Sequence, residues 1–387
     1  MAEPLVKGWC PGALRPMASG DGLVVRVRPR AGRLTPPEAS GIAELAAAHG
    51  NGVIDITTRA NLQIRGVTEA SYQLLMPGLA SLGLTDETSE AEARRNIVVT
   101  PFWSAGDGTQ AIAAALTDAL AGPDAPELPG KFGFAVDCGP SPVLGGVPAD
   151  IRIERSAEAG LICRADGAPA GKPVTEATAV DAAMALAHWF IASGGADRER
   201  GRMAAHLAQR ARLPAVYSEA PGQRGTASRP VPGAVAAGFL AGFEFGQLRA
   251  ETLGALARRG ALRVTPWRML LIEDARVAPD LPGLITAPGD PMLRVVACTG
   301  MPGCLQALQP TRDLARVLAH HVPAGSLLHV SGCAKGCAHP AAAAMTLTAV
   351  ADGFIFARNS RAGSAPHRQG LTASTLAAHP EILTEAR

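Results

Sequence analysis

Two stretches of this 387-residue chain repeat one another at a constant offset of 208 (249 against 41). Residues 41–64 read GIAELAAAHGNGVIDITTRANLQI, and residues 249–272 read RAETLGALARRGALRVTPWRMLLI. Leu45 falls on Leu253, Gly52 on Gly260, Ile56 on Val264, Thr57 on Thr265 and Ile64 on Ile272. Each copy has an apolar helical spacing, a glycine stop, a β-branched strand, a turn at threonine and a second strand. The preceding strand, Leu23–Arg28, has a counterpart in Ala234–Phe245 with a change of length. A repeat this long is a domain duplication, not a solenoid. It predicts two similar half-units about a pseudo-two-fold axis, with a site where they meet.

Each repeat runs into a short strand, Glu92–Pro101 in the first case and Arg294–Pro302 in the second, followed by alternating helices and strands. The expected layout is a first repeat at 12–88, its companion at 92–215, a second repeat at 230–284 and its companion at 290–387. The polar, Gly- and Pro-containing stretch 218–233 is the expected linker. Pro77 is expected to kink or break a helix over 71–82. A helix is expected over 305–321, just after Cys304, with Pro310 as a residue that can delay its start, and a mobile loop over 360–370.

Four of the seven cysteines fall in the second companion as two close pairs. Cys298 and Cys304 form C-x5-C, Cys333 and Cys337 form C-x3-C, and both pairs lie in glycine-containing turns. Thiolates are soft ligands for iron–sulfur clusters or zinc. Structural zinc favours C-x2-4-C, so the first spacing leans towards iron–sulfur. Zinc and four unrelated buried thiols are the alternatives that spacing alone leaves open.

The bulk numbers exclude several classes. The chain is 47% hydrophobic and 18% charged, and 36 basic against 34 acidic side chains leave +2. That balance gives no global case for nucleic acid or an anionic membrane. Aromatics at 4% are too scarce for stacking on single strands. No apolar run of about 18 residues lacks a charge or histidine, so no transmembrane helix is expected. The odd cysteine count, with Cys10, Cys138 and Cys163 isolated, fits a reducing, cytoplasmic setting better than a disulfide framework. A monomer is expected.

The two cysteine pairs in a duplicated chain resemble the sulfite/nitrite reductase family. Thr57-Thr58-Arg59-Ala60-Asn61-Leu62-Gln63 is similar to that family's T-x-R-Q-x-x-Q segment, and Arg95-Asn96-Ile97 to its R-N-V segment. Leu128–Phe132 resembles its L-P-R-K-F-K loop, and Ser331–Ala338 its [TS]-G-C-P-N-x-C-[AG] turn. The resemblance covers nearly the whole chain. It implies an α+β fold of duplicated ferredoxin-like half-domains, each followed by an α/β companion domain. It also implies that Cys298, Cys304, Cys333 and Cys337 hold a [4Fe–4S] cluster.

Two departures matter. The family's loop grips its anion with paired lysines, and here only Lys131 remains between Gly130 and Gly133. A cage for a small dianion needs several converging cations. The chain is also shorter than most siroheme reductases. Both departures, with the opening Cys10–Val27 and the SGCAKGCAHP turn, resemble a branch in which a siroheme-like tetrapyrrole is substrate instead of cofactor. That branch implies O2-dependent hydroxylation of precorrin-3A at C20 with γ-lactone formation, in cobalamin biosynthesis. It further implies a mononuclear non-haem iron and a separate electron donor, a reductase or ferredoxin. The alternatives are a siroheme-dependent sulfite or nitrite reductase, and a non-enzymatic iron–sulfur electron carrier or tetrapyrrole-binding module.

A carboxylate-rich tetrapyrrole needs converging basic side chains. Arg28, Arg59, Arg95 and Lys131 are the candidates by motif match, with Asn61 and Gln63 sharing a strand face with Arg59. Arg26, Arg65 and Arg94 are further candidates, and solvated surface charge is the ordinary alternative for each. In the second repeat Arg59 falls opposite Trp267, Asn61 opposite Met269 and Gln63 opposite Leu271. One half is therefore expected to bind and the other to support. None of the nine histidines forms an H-x-D/E motif, so no iron ligand follows; His329 and His339 flank the second cysteine pair.

Overall fold

The structure, a computed structural model, describes residues 11–197, 200–222 and 229–385. Cys10 and part of the linker expected at 218–233 lie outside those residues. The first half-domain runs β1 (Met17–Ser19), β2 (Gly22–Val27), β3 (Arg33–Leu34), α1 (Pro36–His49), β4 (Val53–Ile56), β5 (Leu62–Val67) and α2 (Glu69–Ser81). After α3 (Ser89–Arg94) come β6 (Ile97–Val99), α4 (Thr109–Ala121), β7 (Phe134–Asp137), β8 (Ile151–Arg155), β9 (Leu161–Ala165), β10 (Ala170–Val174), α5 (Ala179–Ala192), α6 (Met203–Ala208) and β11 (Ala220–Pro221). The second half-domain runs β12 (Gly233–Val235), β13 (Gly238–Phe243), β14 (Gln247–Arg249), α7 (Ala250–Ala257), β15 (Leu262–Val264), β16 (Met269–Glu273) and β17 (Leu284–Ile285). Last come β18 (Val295–Ala297), α8 (Arg312–Ala319), β19 (Leu328–Ser331), β20 (Ala343–Val350), β21 (Gly353–Ser360), β22 (Arg368–Leu371) and α9 (Ala373–Ala378).

The half-domains exchange strands. One sheet is ordered β1-β2-β5-β4-β14, and the other β12-β13-β16-β15-β3. Thus β14 leaves its own half to pair with β4, placing Leu248 opposite Ile54. In return β3 pairs with β15, placing Leu34 opposite Leu262. Helices α1 and α7 pack on one another, and one continuous apolar core runs through both halves. Neither half can bury its helix or complete its sheet without the other.

The repeat extends to single hydrogen bonds. The Thr57 hydroxyl accepts from the backbone N–H groups of Arg59 (3.3 Å) and Asn61 (3.1 Å). The Thr265 hydroxyl accepts from those of Trp267 and Met269, both at 3.3 Å. The turn each threonine ties forces a left-handed residue, Ala60 at φ 52° and Arg268 at φ 64°. The companions are related in the same way. Strands β6, β7 and β8 are parallel neighbours and β8, β9 and β10 antiparallel. Strands β18, β19 and β20, then β20, β21 and β22, follow the same scheme.

Three expectations are refined by the structure. Helix α2 continues through Pro77. Leu75 and Leu79 on either side are fully buried, whereas Pro77 and Gln73 are exposed, so water can serve the carbonyl that proline leaves without a donor. The helix after Cys304 takes the later start that Pro310 allows, at Arg312. The backbone before it is engaged elsewhere, with Leu308 N–H donating to Gly332 and Met301 N–H to Gln309. Within the stretch 360–370, Gly363 N–H donates to the Thr348 hydroxyl, and β22 begins at Arg368.

Candidate active site

Both cysteine pairs start from the C-terminal ends of adjacent parallel strands. Cys298 follows β18 directly, and Cys333 lies two residues beyond β19. Parallel sheets open crevices at that end, and ligands collect there. The Thr311 hydroxyl donates to the Cys298 carbonyl (2.7 Å), and the Ser331 hydroxyl to the Cys333 carbonyl (2.7 Å). Gly332 N–H donates to Cys298 Sγ at 3.1 Å, which joins the two pairs. Burial, together with the three other cysteines, raises the Cys337 thiol, while Lys335 lowers it. Among the described residues no group of three or more His, Cys, Asp or Glu is placed to hold a metal ion.

The first half-domain clamps the cysteine loop. The Gly303 carbonyl accepts from the Gly20 N–H (3.2 Å), the Ser19 hydroxyl (2.6 Å) and Arg65 Nη2 (3.2 Å). Arg65 is buried and also paired with Asp21 at 2.6 Å. A Cβ on Gly20 would lie 2.2 Å from the Pro302 carbonyl oxygen, so only glycine allows this approach.

Between hairpin and cysteines lies a cavity of about 550 Å3. All four cysteines line it, facing Arg26, Gln63, Arg65, Lys131 and Lys335. Gln63, its amide oxygen turned to Arg26, accepts from Arg26 Nε (3.3 Å) and Nη2 (2.9 Å). Leu305, 77% exposed, and Met17 give the mouth an apolar lip.

The motif-matched residues divide into two groups. Gln63 and Lys131 reach the cavity wall. Arg59 is beside it: Arg59 Nη2 donates to the Lys131 carbonyl (2.9 Å), and Asn96 Nδ2 donates to the Phe132 carbonyl (3.1 Å). They hold the lysine loop. Asn61 is buried in the Thr57 turn. Arg28 and Arg95 line neither this cavity nor its neighbour. Arg28 is buried and donates to the carbonyls of Glu92 and Pro11. Arg95 is buried in a bidentate pair with Asp86, both bonds 2.8 Å. Alternation does not separate Arg26 from Arg28, which are two residues apart; Arg26 pairs with Gln63 within the sheet, whereas Arg28 lies just past the end of β2. Lys335 lies within the Ser331–Ala338 motif but was not singled out as a wall residue, and Arg312, on the wall of the neighbouring cavity, carries no motif.

The second half-domain shows the same position closed. Leu240 pairs with Leu271 where Arg26 pairs with Gln63. Leu240, Met269 and Leu271 form a small buried core with Phe102 and Trp267, whose rings stack at 6.0 Å. Arg263 Nη1 donates to the carbonyls of Pro101 and Trp103 (both 2.8 Å) and seals it. Of two pseudo-equivalent clefts, one is polar and open and the other filled.

His329 is fully buried under the second cysteine turn, and neither ring nitrogen has a hydrogen-bond partner among the described residues. Its ring lies 5.8 Å from that of His339. Burial, then His339 and Arg268, push its pKa down to about 4.

A family model described as the nitrite/sulfite reductase ferredoxin-like half domain matches residues 15–82. The Mycobacterium tuberculosis NirA protein shares the fold, with a TM-score of 0.69 at 17% identity over 93% of this chain and 79% of that one. The architecture is that of the nitrite and sulfite reductases. Within it, a precorrin-3B synthase from Sinorhizobium sp is 32% identical over 93% of this chain and 84% of its own length. The chain belongs to the precorrin-3B synthase family.

Proposed function

We propose that this chain converts precorrin-3A to precorrin-3B, by O2-dependent hydroxylation at C20 with closure of a γ-lactone, in aerobic cobalamin biosynthesis. One observation carries the reading: four cysteines and a set of basic side chains share the wall of one cavity of about 550 Å3. Arg26, Arg65, Lys131 and Lys335 suit the carboxylates of a tetrapyrrole. The apolar lip at Leu305 suits the flat face of its macrocycle. A single lysine in the loop at 128–133 disfavours reduction of a small anion, the siroheme reductase alternative.

Cys298, Cys304, Cys333 and Cys337 would hold the [4Fe–4S] cluster. Their two strand-end turns and the Gly332 N–H on Cys298 Sγ fit thiolate ligation, because backbone donors stabilise sulfur bearing negative charge. Bound there, the cluster supplies one-electron transfer from a separate donor. The chain's own side chains hold the substrate's carboxylates and keep its macrocycle against the cysteine turns. The mononuclear non-haem iron expected from the family does not fit His329 and His339. That pair faces Arg268 and lacks the carboxylate of a two-His-one-carboxylate site. No step is assigned to it.

The test is turnover of precorrin-3A with labelled O2 and a reductant. The reading requires labelled oxygen in a product one hydroxyl and one lactone further on. Unchanged precorrin-3A alongside reduction of sulfite or nitrite would establish the reductase instead.

A further inference from the structure

A second cavity of about 290 Å3 adjoins the first and shares Arg26, Gln63, Cys298 and Cys337 with it. Guanidinium groups reach its wall from three units: Arg26 on β2, Arg268 before β16 and Arg312 at the start of α8. The one acidic side chain on that wall, Asp55, is already engaged by Gln247 Nε2 (3.0 Å), Arg65 (3.5 Å) and Arg312 (3.7 Å). Arg26 is 8% exposed, and its Nη1 has no hydrogen-bond partner among the described residues; the same is true of Arg312 Nε. A buried N–H without an acceptor is costly, more so on a charged group.

Arg268 sharpens the case. Its repeat has otherwise lost its polar wall, with Trp267, Met269 and Leu271 around it. The left-handed turn that holds Ala60 in the first repeat here carries an arginine out of the sealed core and into this cavity. Arg268 Nη2 donates to the Ala338 carbonyl (2.9 Å), which fixes it beside the second cysteine turn. Three guanidiniums against one shared carboxylate repel a metal cation and attract an anion. Planar, two-oxygen acceptors match guanidinium forks best. The space suits a side arm, not a macrocycle.

We infer that this cavity is a carboxylate subsite, in which Arg26, Arg268 and Arg312 hold one acidic arm of the bound tetrapyrrole beside Cys298 and Cys337. The inference rests on the tetrapyrrole reading above. A free small anion offers related chemistry, and the test separates the two.

The probes are uroporphyrin, a stable macrocycle with carboxylate arms, its fully methylated ester, and sulfite. Each is titrated into the full chain by absorbance or calorimetry, with thermal unfolding of every variant as the check on folding. Arg268→Gln and Arg312→Gln are each expected to weaken uroporphyrin binding by roughly tenfold or more and to leave the ester unchanged. Arg249→Gln, exposed on β14, leaves both unchanged. Equal loss for acid and ester marks a merely reshaped wall and overturns the subsite, as does no loss for either. Loss of sulfite binding alone assigns the cavity to a free anion and overturns the arm. If the parent chain binds neither macrocycle, the tetrapyrrole reading itself fails, a result unlike any of these.

Discussion

Arg65 of the first half-domain donates to the backbone carbonyl of Gly303, 3.2 Å away, in the loop between Cys298 and Cys304. A residue of one repeat thus fixes the cysteine loop of the opposite companion. Removing it by Arg65→Ala leaves the partly exposed Asp21 without its closest cation, at a cost of about 1–3 kcal/mol in urea unfolding. Gly20→Ala is the sharper probe, because its Cβ would meet the Pro302 carbonyl at 2.2 Å. The expected outcome is a folded chain by circular dichroism whose iron content after reconstitution falls well below the parent's. Full iron loading in Gly20→Ala would show that the hairpin does not shape the cysteine loop.

The duplication was legible because helix, glycine, strand and threonine turn recur without a gap. The exchange of β3 and β14 was not. Both are short, two and three residues, and nothing in a strand's own sequence says which sheet it joins. At the site, Gln63 and Lys131 were legible by motif. Arg28 and Arg26 are two residues apart, and motif match favoured the wrong one as a wall residue. Both are buried, and hydrogen bonding separates their roles, since Arg28 is fastened to the Glu92 and Pro11 carbonyls. Arg312 had no signal, because its position depends on a helix start that the cysteine loops delay.

Arg26 and Leu240 make a pair of opposite predictions. Leu240→Ala opens a hole in the filled cleft and should cost about 2–5 kcal/mol, with uroporphyrin affinity unchanged. Arg26→Leu copies the filled repeat into the open one. It removes a buried N–H that has no partner but also the two hydrogen bonds to Gln63, so the net change in stability should be small. Affinity for the macrocycle should fall roughly tenfold or more. Urea melts and absorbance titrations on both variants check this, and a loss of affinity in Leu240→Ala would count against the division of labour.

Arg59 acts through Lys131, whose carbonyl it holds at 2.9 Å. Arg59→Ala and Lys131→Ala should each weaken macrocycle binding. The double variant should be no weaker than the more affected single one, because both remove one interaction. Additive losses would mean that Arg59 touches the ligand itself.

Asp137, at the end of β7, is buried, and burial raises its pKa to about 6 even though Leu144 and Val143 N–H groups donate to it. A carboxyl raised above its unfolded value favours folding below about pH 4. It loses that contribution as pH rises through about 6, by up to roughly 3 kcal/mol on the pKa difference. Asp137→Asn keeps an oxygen for both N–H groups and should flatten the stability profile between pH 4 and 6. Urea unfolding across that range measures it; an unchanged slope in the variant would assign the dependence to other groups.

In the proposed function, four cysteines would hold a cluster beside a site that takes its tetrapyrrole as substrate. The most direct measurement is the absorption spectrum of chain purified without oxygen, with metal counted in the same sample. The expected result is a broad iron–sulfur shoulder, iron in at least cluster amount, no siroheme bands, and loss of the shoulder in Cys298→Ser or Cys333→Ser. Siroheme bands in the resting protein, or zinc with no iron, would contradict it.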